Sequence, residues 1–255
     1  MLFRVFDQCL VIVNDAETAV DLLERRSAKY SSRPDSVLTK LSSRAGWEWN
    51  MAFFPYGWSW RQHRRVVWKH YQPDAIPKYY DAQTQAARRL LALFISAPNN
   101  LSENIRYGIG TALVTSTYGL DVGGDLSDRY LSAFETGVKS IQLFLSGTSI
   151  LEFLPILSYV PHWIPGTGYL RKLVGIRRAT LRLRDLPWRD ARDAVLSGRA
   201  DGRESVVSAM IEDYTHLKDE ARSKFEEEAA RNVAAVSYAG TVSPSLKLFS
   251  STSLS

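Results

Sequence analysis

The segment 55–69 combines residue types that bind anions. Its fifteen residues include three tryptophans and four lysines or arginines, and no acidic residue. In an α-helix, residues four apart share a face. One stripe of such a helix would then carry Trp60, Arg64 and Trp68. The adjacent stripe would be purely cationic, with Arg61, Arg65 and Lys69.

The aromatic and cationic stripe suggests a specific chemistry. An indole N–H is a donor only, and a guanidinium presents a planar fork that suits carboxylates and phosphates. Trp60 and Arg64 are therefore a candidate anion-binding pair. The alternative is an ordinary surface helix with a cation–π pair four residues apart.

The remaining positions of this segment predict how the helix is placed. The apolar and imidazole side chains on its far side predict a core-facing surface, formed by His63, Val66, Val67 and His70. Ser59 followed by Gln62 has the pattern of a capping box. This pattern predicts that the helix begins at Trp60.

Composition limits the function only broadly. The chain has 255 residues and a formal net charge of +5, which does not by itself indicate nucleic-acid binding. Cys9 is the single cysteine, so neither an intrachain disulfide nor a zinc site of several thiolates is expected. The sequence shows no signal peptide and no apolar run long enough to span a bilayer. A cytosol-facing compartment is the default expectation.

The pattern of hydrophobic residues predicts a mainly α fold with a small N-terminal β-hairpin. The strands are expected at Phe3–Phe6 and Cys9–Val13, and a helix capped by Asn14 or Asp15 follows them. After the basic helix, further helices are expected over 76–95, 101–118, 128–146, 169–196, 203–214 and 222–239.

Two neighbouring segments indicate surface behaviour. Residues 153–165 are apolar, aromatic and interrupted by proline, and a strongly basic helix over 171–192 follows them. An apolar loop beside a cationic helix suits an anionic membrane surface. A buried connection followed by a solvated helix face explains the same pattern, and both interpretations stay open.

The order of these features resembles the fungal microsomal cytochromes P-450, the haem-thiolate monooxygenases, over their N-terminal half. Residues 3–14 resemble the first hairpin of that fold, and 16–34 resemble its B helix. Residues 55–65 match the W-x-x-x-R signature of the C helix through Trp60 and Arg64. Residues 225–240 resemble the first half of the I helix. The resemblance implies a partial cytochrome P-450 fold from the B helix to the start of the I helix.

The resemblance also implies roles for individual residues. Trp60 and Arg64 would bind a propionate of haem b. The row Arg61, Arg65 and Lys69 would dock NADPH–cytochrome P-450 reductase. Segments 36–54 and 144–163 would border the pocket for a small lipophilic substrate. Ala239 and Gly240 would lie against the distal face of the haem. Together with Thr241 they form an incomplete remnant of the catalytic I-helix motif.

The chain departs from the family after Gly240. The acid of the A-G-x-[DE]-T motif is absent, and the E-x-x-R motif and iron-binding cysteine loop that the family carries C-terminal to the I helix are not found after Gly240. Cys9 is expected to be a strand residue, and the four histidines are expected to be structural or exposed. No metal ligand is therefore assigned. We expect residues 1–240 to form a partial cytochrome P-450 domain and 241–255 to be a disordered Ser/Thr-rich tail.

These departures set the functional expectations. The chain is expected to be an inactive fragment of a haem-dependent monooxygenase that oxidises a small lipophilic substrate with O2 and reductase-supplied electrons. The family implies the cytosolic face of the endoplasmic reticulum, whereas a chain without an anchor would be cytoplasmic or peripheral. The alternative is a non-enzymatic membrane-surface or interaction protein that uses the basic helix 171–192. No nucleic-acid partner is expected.

Overall fold

The N-terminus forms the predicted β-hairpin. A computed structural model describes residues 1–5, 8–33, 37–120, 125–153, 168–200 and 204–240. Strands β1 (Leu2–Val5) and β2 (Gln8–Val11) pair antiparallel, with Leu2 opposite Val11. Each strand begins one residue earlier than the sequence pattern indicates, and the hairpin itself is confirmed.

The rest of the described chain is mainly helical, as predicted, although the helix over Val37–Ala45 was not among the expected ones. The helices are α1 (Ala16–Val20), α2 (Ser27–Tyr30), α3 (Val37–Ala45), α4 (Trp58–Tyr71), α5 (Tyr80–Ser96), α6 (Leu101–Tyr118), α7 (Asp125–Phe153), α8 (Gly168–Leu196), α9 (Val206–Thr215) and α10 (Glu220–Gly240). A π-helical turn covers Asp21–Arg25, and 3₁₀ turns cover Met51–Phe53, Ile76–Tyr79 and Pro98–Asn100. Asp15 caps α1 by accepting a hydrogen bond from the Thr18 backbone N–H at 2.8 Å.

Helices α7 and α8 form the most extensive helix pair, and a glycine lets them approach. A Cβ atom added at Gly137 would lie 2.8 Å from the Cβ of Leu183, closer than real carbon atoms pack. The Ser140 and Thr180 hydroxyls are 3.1 Å apart across this buried contact. The core continues from this pair onto α9 and α10 through Val207 and Ala235, both fully buried.

The segment between α3 and α4 is fixed against α8. Gly46 adopts a φ of +77°, and its α-carbon faces the backbone of Arg177. The Arg177 guanidinium donates to the Ser43 carbonyl and pairs with Glu48 at 3.1 Å. Trp47 and Trp49 are buried immediately after this turn, with ring centroids 5.4 Å apart. These contacts set the position from which α4 begins.

Some predicted features lie outside the described residues. They include Thr241 and the remainder of the segment 241–255, and all of the segment 153–165 except Phe153. The predicted disorder of the tail and the membrane contact of the apolar segment therefore stay predictions. Within the described ranges, no helix has the length and apolarity needed to cross a bilayer.

Candidate functional site

Helix α4 begins two residues earlier than predicted. Gly57 is its N-cap residue, and no side chain caps the first turn. The prediction that Ser59 caps a helix starting at Trp60 is therefore wrong. Ser59 lies in the first turn, where its carbonyl accepts a hydrogen bond from the His63 ring at 2.8 Å.

The candidate anion-binding pair lies on the outer side of α4. The Arg64 guanidinium carbon is 5.7 Å from the centroid of the Trp60 ring, a cation–π distance. Trp60 also packs against Tyr56, with ring centroids 5.3 Å apart. Arg64 is exposed and forms no ion pair within the described part of the chain. Its N–H groups are thus available to an anion, while the indole fixes the orientation of the fork.

The cationic row on α4 is not uniform. Arg61 lies over the Tyr56 ring, 5.5 Å from its centroid, and Arg65 donates to the Gln62 amide oxygen at 3.0 Å. Lys69 differs because its ammonium pairs with Asp213 of α9 at 2.6 Å. The Asp213 carboxylate compensates the Lys69 charge. Arg61 and Arg65 are therefore the two members of the row whose charge is not neutralised by a carboxylate in the described structure.

His63 connects α4 to α10. Its Nδ1 bonds a carbonyl oxygen, which only accepts, so Nδ1 carries the proton and Nε2 is an acceptor. The Asn232 amide then donates to Nε2 at 3.2 Å. Phe54 and Phe225 pack edge-on against the ring at 4.9 and 6.1 Å. This neutral, buried imidazole fixes the register between the two helices.

His70 provides a second buried contact on the same face. Its Nε2 lies 3.1 Å from the Asp213 carboxylate that also binds Lys69. Burial lowers the pKa of His70 below its ordinary value, although Asp213 opposes this effect. Val66 and Val67 pack on the core between the two histidines. The predicted core face of α4 is confirmed in all four positions.

Acidification is expected to weaken the fold through these histidines. Burial lowers the pKa of both His63 and His70 from 6.5, so the unfolded state binds more protons at mildly acidic pH. The stability that the two neutral imidazoles contribute is fully present above their pKa in the unfolded chain, about 6.5. It is lost as the pH falls through their lower pKa values in the folded chain. Urea unfolding at several pH values between about 8 and 5.5 measures this loss.

A matched histidine variant separates this effect from general acid sensitivity. The double variant His63→Gln/His70→Gln should lose stability less steeply between the same pH limits than the parent chain. His216→Gln, at an exposed position, should keep the parent slope. If the double variant keeps the parent slope, the two buried imidazoles are not the groups that titrate.

The end of α10 carries Ala239 and Gly240, the small residues expected to lie against the distal face of the haem. Ala239 is partly buried, and Gly240 is exposed, with no atom of the described residues within 4 Å of the position of an added Cβ. Gly240 lies eight residues beyond Asn232, or about 12 Å along the helix axis. Gly240 therefore leaves space for a ligand at the end of α10. The hydrogen bond between His63 and Asn232 fixes the position of α10 relative to α4.

The segments predicted to border a substrate pocket meet in one place. The Phe53 and Phe144 rings pack edge-to-face at 6.1 Å, joining segment 36–54 to α7. A groove of about 530 Å³ lies beside Phe53, Phe54 and Pro55. The predicted border on the other side, residues 154–163, lies outside the described residues.

Half of the eight basic residues of α8 pair with carboxylates within the described structure. Its arginines contact carboxylates of this and other segments: Arg177 with Glu48 at 3.1 Å, Arg184 with Asp185 at 2.7 Å, Arg189 with Asp190 at 3.2 Å, and Arg192 with Glu227 at 3.0 Å. Lys172, Arg178 and Arg182 are exposed. The cationic face available to an external surface is thus smaller than the sequence indicates.

No arrangement for an iron ligand appears in the described ranges. Cys9 is exposed on β2. Among described residues, no group of three or more His, Cys, Asp or Glu side chains converges as a metal site would. His63 and His70 are buried and bonded, and His216 is exposed, as expected. His162 lies outside the described residues.

Sequence reasoning missed the partners of α4. Asn232 and Asp213 are far along the chain from the histidines and lysine that they bind. Neither residue stands out in the sequence, because a single Asn or Asp within a helix has no distinctive spacing. Only the packing of α9 and α10 against α4 reveals their roles.

Known proteins of similar sequence are fungal monooxygenases. The chain is 31% identical over 223 residues to the cytochrome P450 monooxygenase ple1 of Rhodocybe pseudopiperita, which covers 83% of this chain and 42% of that protein. It is 28% identical over 226 residues to the tryptamine 4-monooxygenase of Psilocybe cyanescens, covering 88% of this chain and 43% of the relative. It is 36% identical over 176 residues to cytochrome P450 monooxygenase 45 of Postia placenta. This match covers 68% of this chain and 32% of the relative.

These matches define both the relationship and its extent. No protein-family model matches the chain. The chain spans less than half the length of these curated relatives. The matched regions nevertheless cover most of this chain, and its N-terminal hairpin and helices agree with the fold expected from the resemblance. The chain therefore belongs to the cytochrome P450 monooxygenase family.

Proposed function

We propose that this chain forms the propionate-binding part of a haem-dependent monooxygenase. The observation that carries the proposal is the Trp60–Arg64 pair, an oriented guanidinium with no ion-pair partner in the described ranges. The enzyme would use O2 and electrons from NADPH–cytochrome P-450 reductase. Its substrate would be a small lipophilic molecule, consistent with the aromatic contact between Phe53 and Phe144.

The residues present fit one side of a haem. A propionate is a carboxylate, and a guanidinium beside an indole N–H supplies the donors that it requires. Gly240 leaves open space at the end of α10, and His63 fixes that helix relative to α4. We therefore assign haem b binding to Trp60 and Arg64, and close packing against the macrocycle to Ala239 and Gly240. Thr241 is proposed as a remnant of the family motif.

The same residues do not supply the iron ligand. Bound haem provides the iron centre at which O2 is activated, and in this family a cysteine thiolate supports that chemistry. The single cysteine, Cys9, lies on the N-terminal hairpin and is exposed. We propose that the 255 residues alone are inactive as a monooxygenase. A thiolate would have to come from residues other than these.

Reductase docking is proposed for the cationic row of α4. Arg61 and Arg65 retain their charge, whereas Lys69 is paired with Asp213. Charges at the rim of an interface mainly accelerate association, and salt screens them. Lys69 is therefore assigned a smaller part in docking than the resemblance implies.

For cellular location we propose a peripheral association of the chain with the cytosolic face of the endoplasmic reticulum. The alternative function, a membrane-surface or interaction protein that uses helix 171–192, has less support. Four arginines of that helix are engaged by carboxylates within the fold.

Haem titration tests the proposal. Replacing Arg64 by alanine should weaken haem uptake by about tenfold or more, because it removes charge-assisted hydrogen bonds to the propionate. Trp60→Phe keeps the ring and loses the N–H, so its effect should be smaller. The Soret absorbance of the purified chain during titration with haemin measures both.

Arg65→Ala is the matched control, because it removes the same side chain from the neighbouring row. It should leave haem uptake unchanged. Equal uptake by Arg64→Ala and the parent chain would exclude the propionate assignment. After reduction and addition of carbon monoxide, a thiolate-type Soret band from the parent chain would contradict the proposed inactivity.

A further inference from the structure

A groove between α8 and α10 gathers an excess of positive charge. Its volume is about 510 Å³. The lining includes four arginines and two acids, a net charge of 4 − 2 = +2. The arginines are Arg182, Arg189, Arg192 and Arg231, and the acids are Asp185 and Glu227.

The helical spacing explains why these side chains converge. Arg182, Asp185 and Arg189 recur at three- and four-residue intervals on α8, which places them on one stripe. Glu227 and Arg231 are four residues apart on α10 and form the facing stripe. The Arg192 to Glu227 contact at 3.0 Å joins the two walls. Arg182 and Arg231 therefore approach the groove from opposite helices.

The acids of the groove do not satisfy these two arginines. Arg184 holds both oxygens of Asp185 at 2.7 and 3.2 Å. Arg231 reaches the same carboxylate only at 3.8 Å, beyond hydrogen-bonding distance. The buried Nε of Arg231 has no hydrogen-bond partner in the described structure. A buried donor without a partner is costly, so a ligand that supplies an acceptor would be stabilised there.

Arg182 is the second available cation. It is exposed and forms no ion pair with any residue in the described ranges. Arg192 and Arg189 are already bound to Glu227 and Asp190. The groove thus offers one guanidinium from each helix, and Leu181 and Leu186 add apolar surface to its lining.

We propose that this groove binds a phosphate group, either as free phosphate or as a small phosphomonoester. A phosphate dianion matches the net charge of the groove and presents oxygens to both walls. A guanidinium binds phosphate through paired hydrogen bonds. Leu181 and Leu186 would accommodate the organic part of a monoester. The site does not include the Trp60–Arg64 pair and is independent of haem binding.

Calorimetric titration of the folded chain with inorganic phosphate tests the site. We expect saturable binding at a single site in buffer of low ionic strength. Arg182→Gln and Arg231→Gln should each weaken it by about tenfold. Circular dichroism verifies that each variant retains its helix content. If Arg231→Gln does not fold, the exposed Arg182→Gln still decides the question.

Arg178→Gln is the matched control, since Arg178 is exposed on the same helix and does not line the groove. It should bind phosphate like the parent chain. Absence of saturable binding, or equal weakening by Arg178→Gln, overturns the proposal. A second experiment measures binding of the chain to phosphatidylcholine vesicles with and without phosphatidic acid. Binding to the acidic vesicles alone, without free phosphate binding, would show a charged surface and overturn the groove site.

Discussion

Replacing Trp47 by alanine is expected to lower the free energy of unfolding by about 3–5 kcal/mol. Trp47 is 0% exposed and stacks on Trp49 with an interplanar angle of 29°. Its removal would leave a cavity in the centre of the core and release the segment before α4. Urea unfolding followed by circular dichroism measures the change. The free energies of the variant and the parent chain can be compared if their m-values are equal.

The buried N–H of Trp47 acts in the opposite direction. It has no hydrogen-bond partner in the described structure, and an unsatisfied buried donor costs about 1–3 kcal/mol. Trp47→Phe removes this donor and keeps an aromatic ring. It should therefore cost much less than Trp47→Ala. In Trp47→Ala the unsatisfied N–H is also removed, but the cost of the cavity is larger than this gain. The reason is that a whole bicyclic ring loses its packing contacts.

Trp68→Ala is the control for the residue type. Trp68 is 66% exposed on the outer face of α4, so its truncation should change stability by no more than about 0.5 kcal/mol. A loss similar to that of Trp47→Ala would mean that burial does not separate the two tryptophans. It would thereby contradict the described position of the segment 46–54.

Gly46→Ala is expected to cost about 2–5 kcal/mol, the sum of backbone strain and overpacking. Gly46 has a φ of +77°, where an L-residue is strained. An added Cβ would also lie 3.1 Å from the Cα of Arg177 and 3.2 Å from its carbonyl oxygen. These are backbone atoms within α8, so they cannot move aside as a side chain would. Thermal or urea unfolding measures the loss.

Gly198→Ala isolates the backbone contribution. Gly198 has a similar φ of +71°, but no atom of the described residues lies within 4 Å of an added Cβ. Its cost should be about 1–2 kcal/mol, from conformation alone. The difference between the two variants measures the close approach of the α3–α4 segment to α8. Equal losses would show that Gly46 is required only for its backbone conformation.

The local features of α4 were predictable because helical periodicity is local. The four-residue spacing of Trp60 and Arg64 places them on one face, and the spacing of His63 and His70 places both on the core side. The N-terminus of the helix was predicted wrongly, because Ser59 matches a capping pattern. Packing of His63 against Asn232, Phe54 and Phe225 is not represented in that pattern.

The charge of the candidate sites depended on partners that are distant in the chain. Lys69 and Arg65 look equivalent in the sequence. Lys69 nevertheless binds Asp213, whereas the one hydrogen bond of the Arg65 side chain among the described residues goes to Gln62. The arginines of α8 likewise look like one basic surface. Glu48 and Glu227 engage two of them from other helices or loops. An ion pair forms where two charged groups lie within about 4 Å in space, so the distance between them along the chain does not indicate it.

The sequence by itself determined the helical class of the fold, the N-terminal hairpin and the shared helix face of Trp60 and Arg64. These follow from residue types at short, regular spacings. The tertiary structure alone decided which cations are neutralised, how α4 is held against α10, and that Arg182 and Arg231 line one groove from different helices. Those properties arise because packing brings distant helices into contact, and hydrogen bonds and ion pairs form only where the atoms meet.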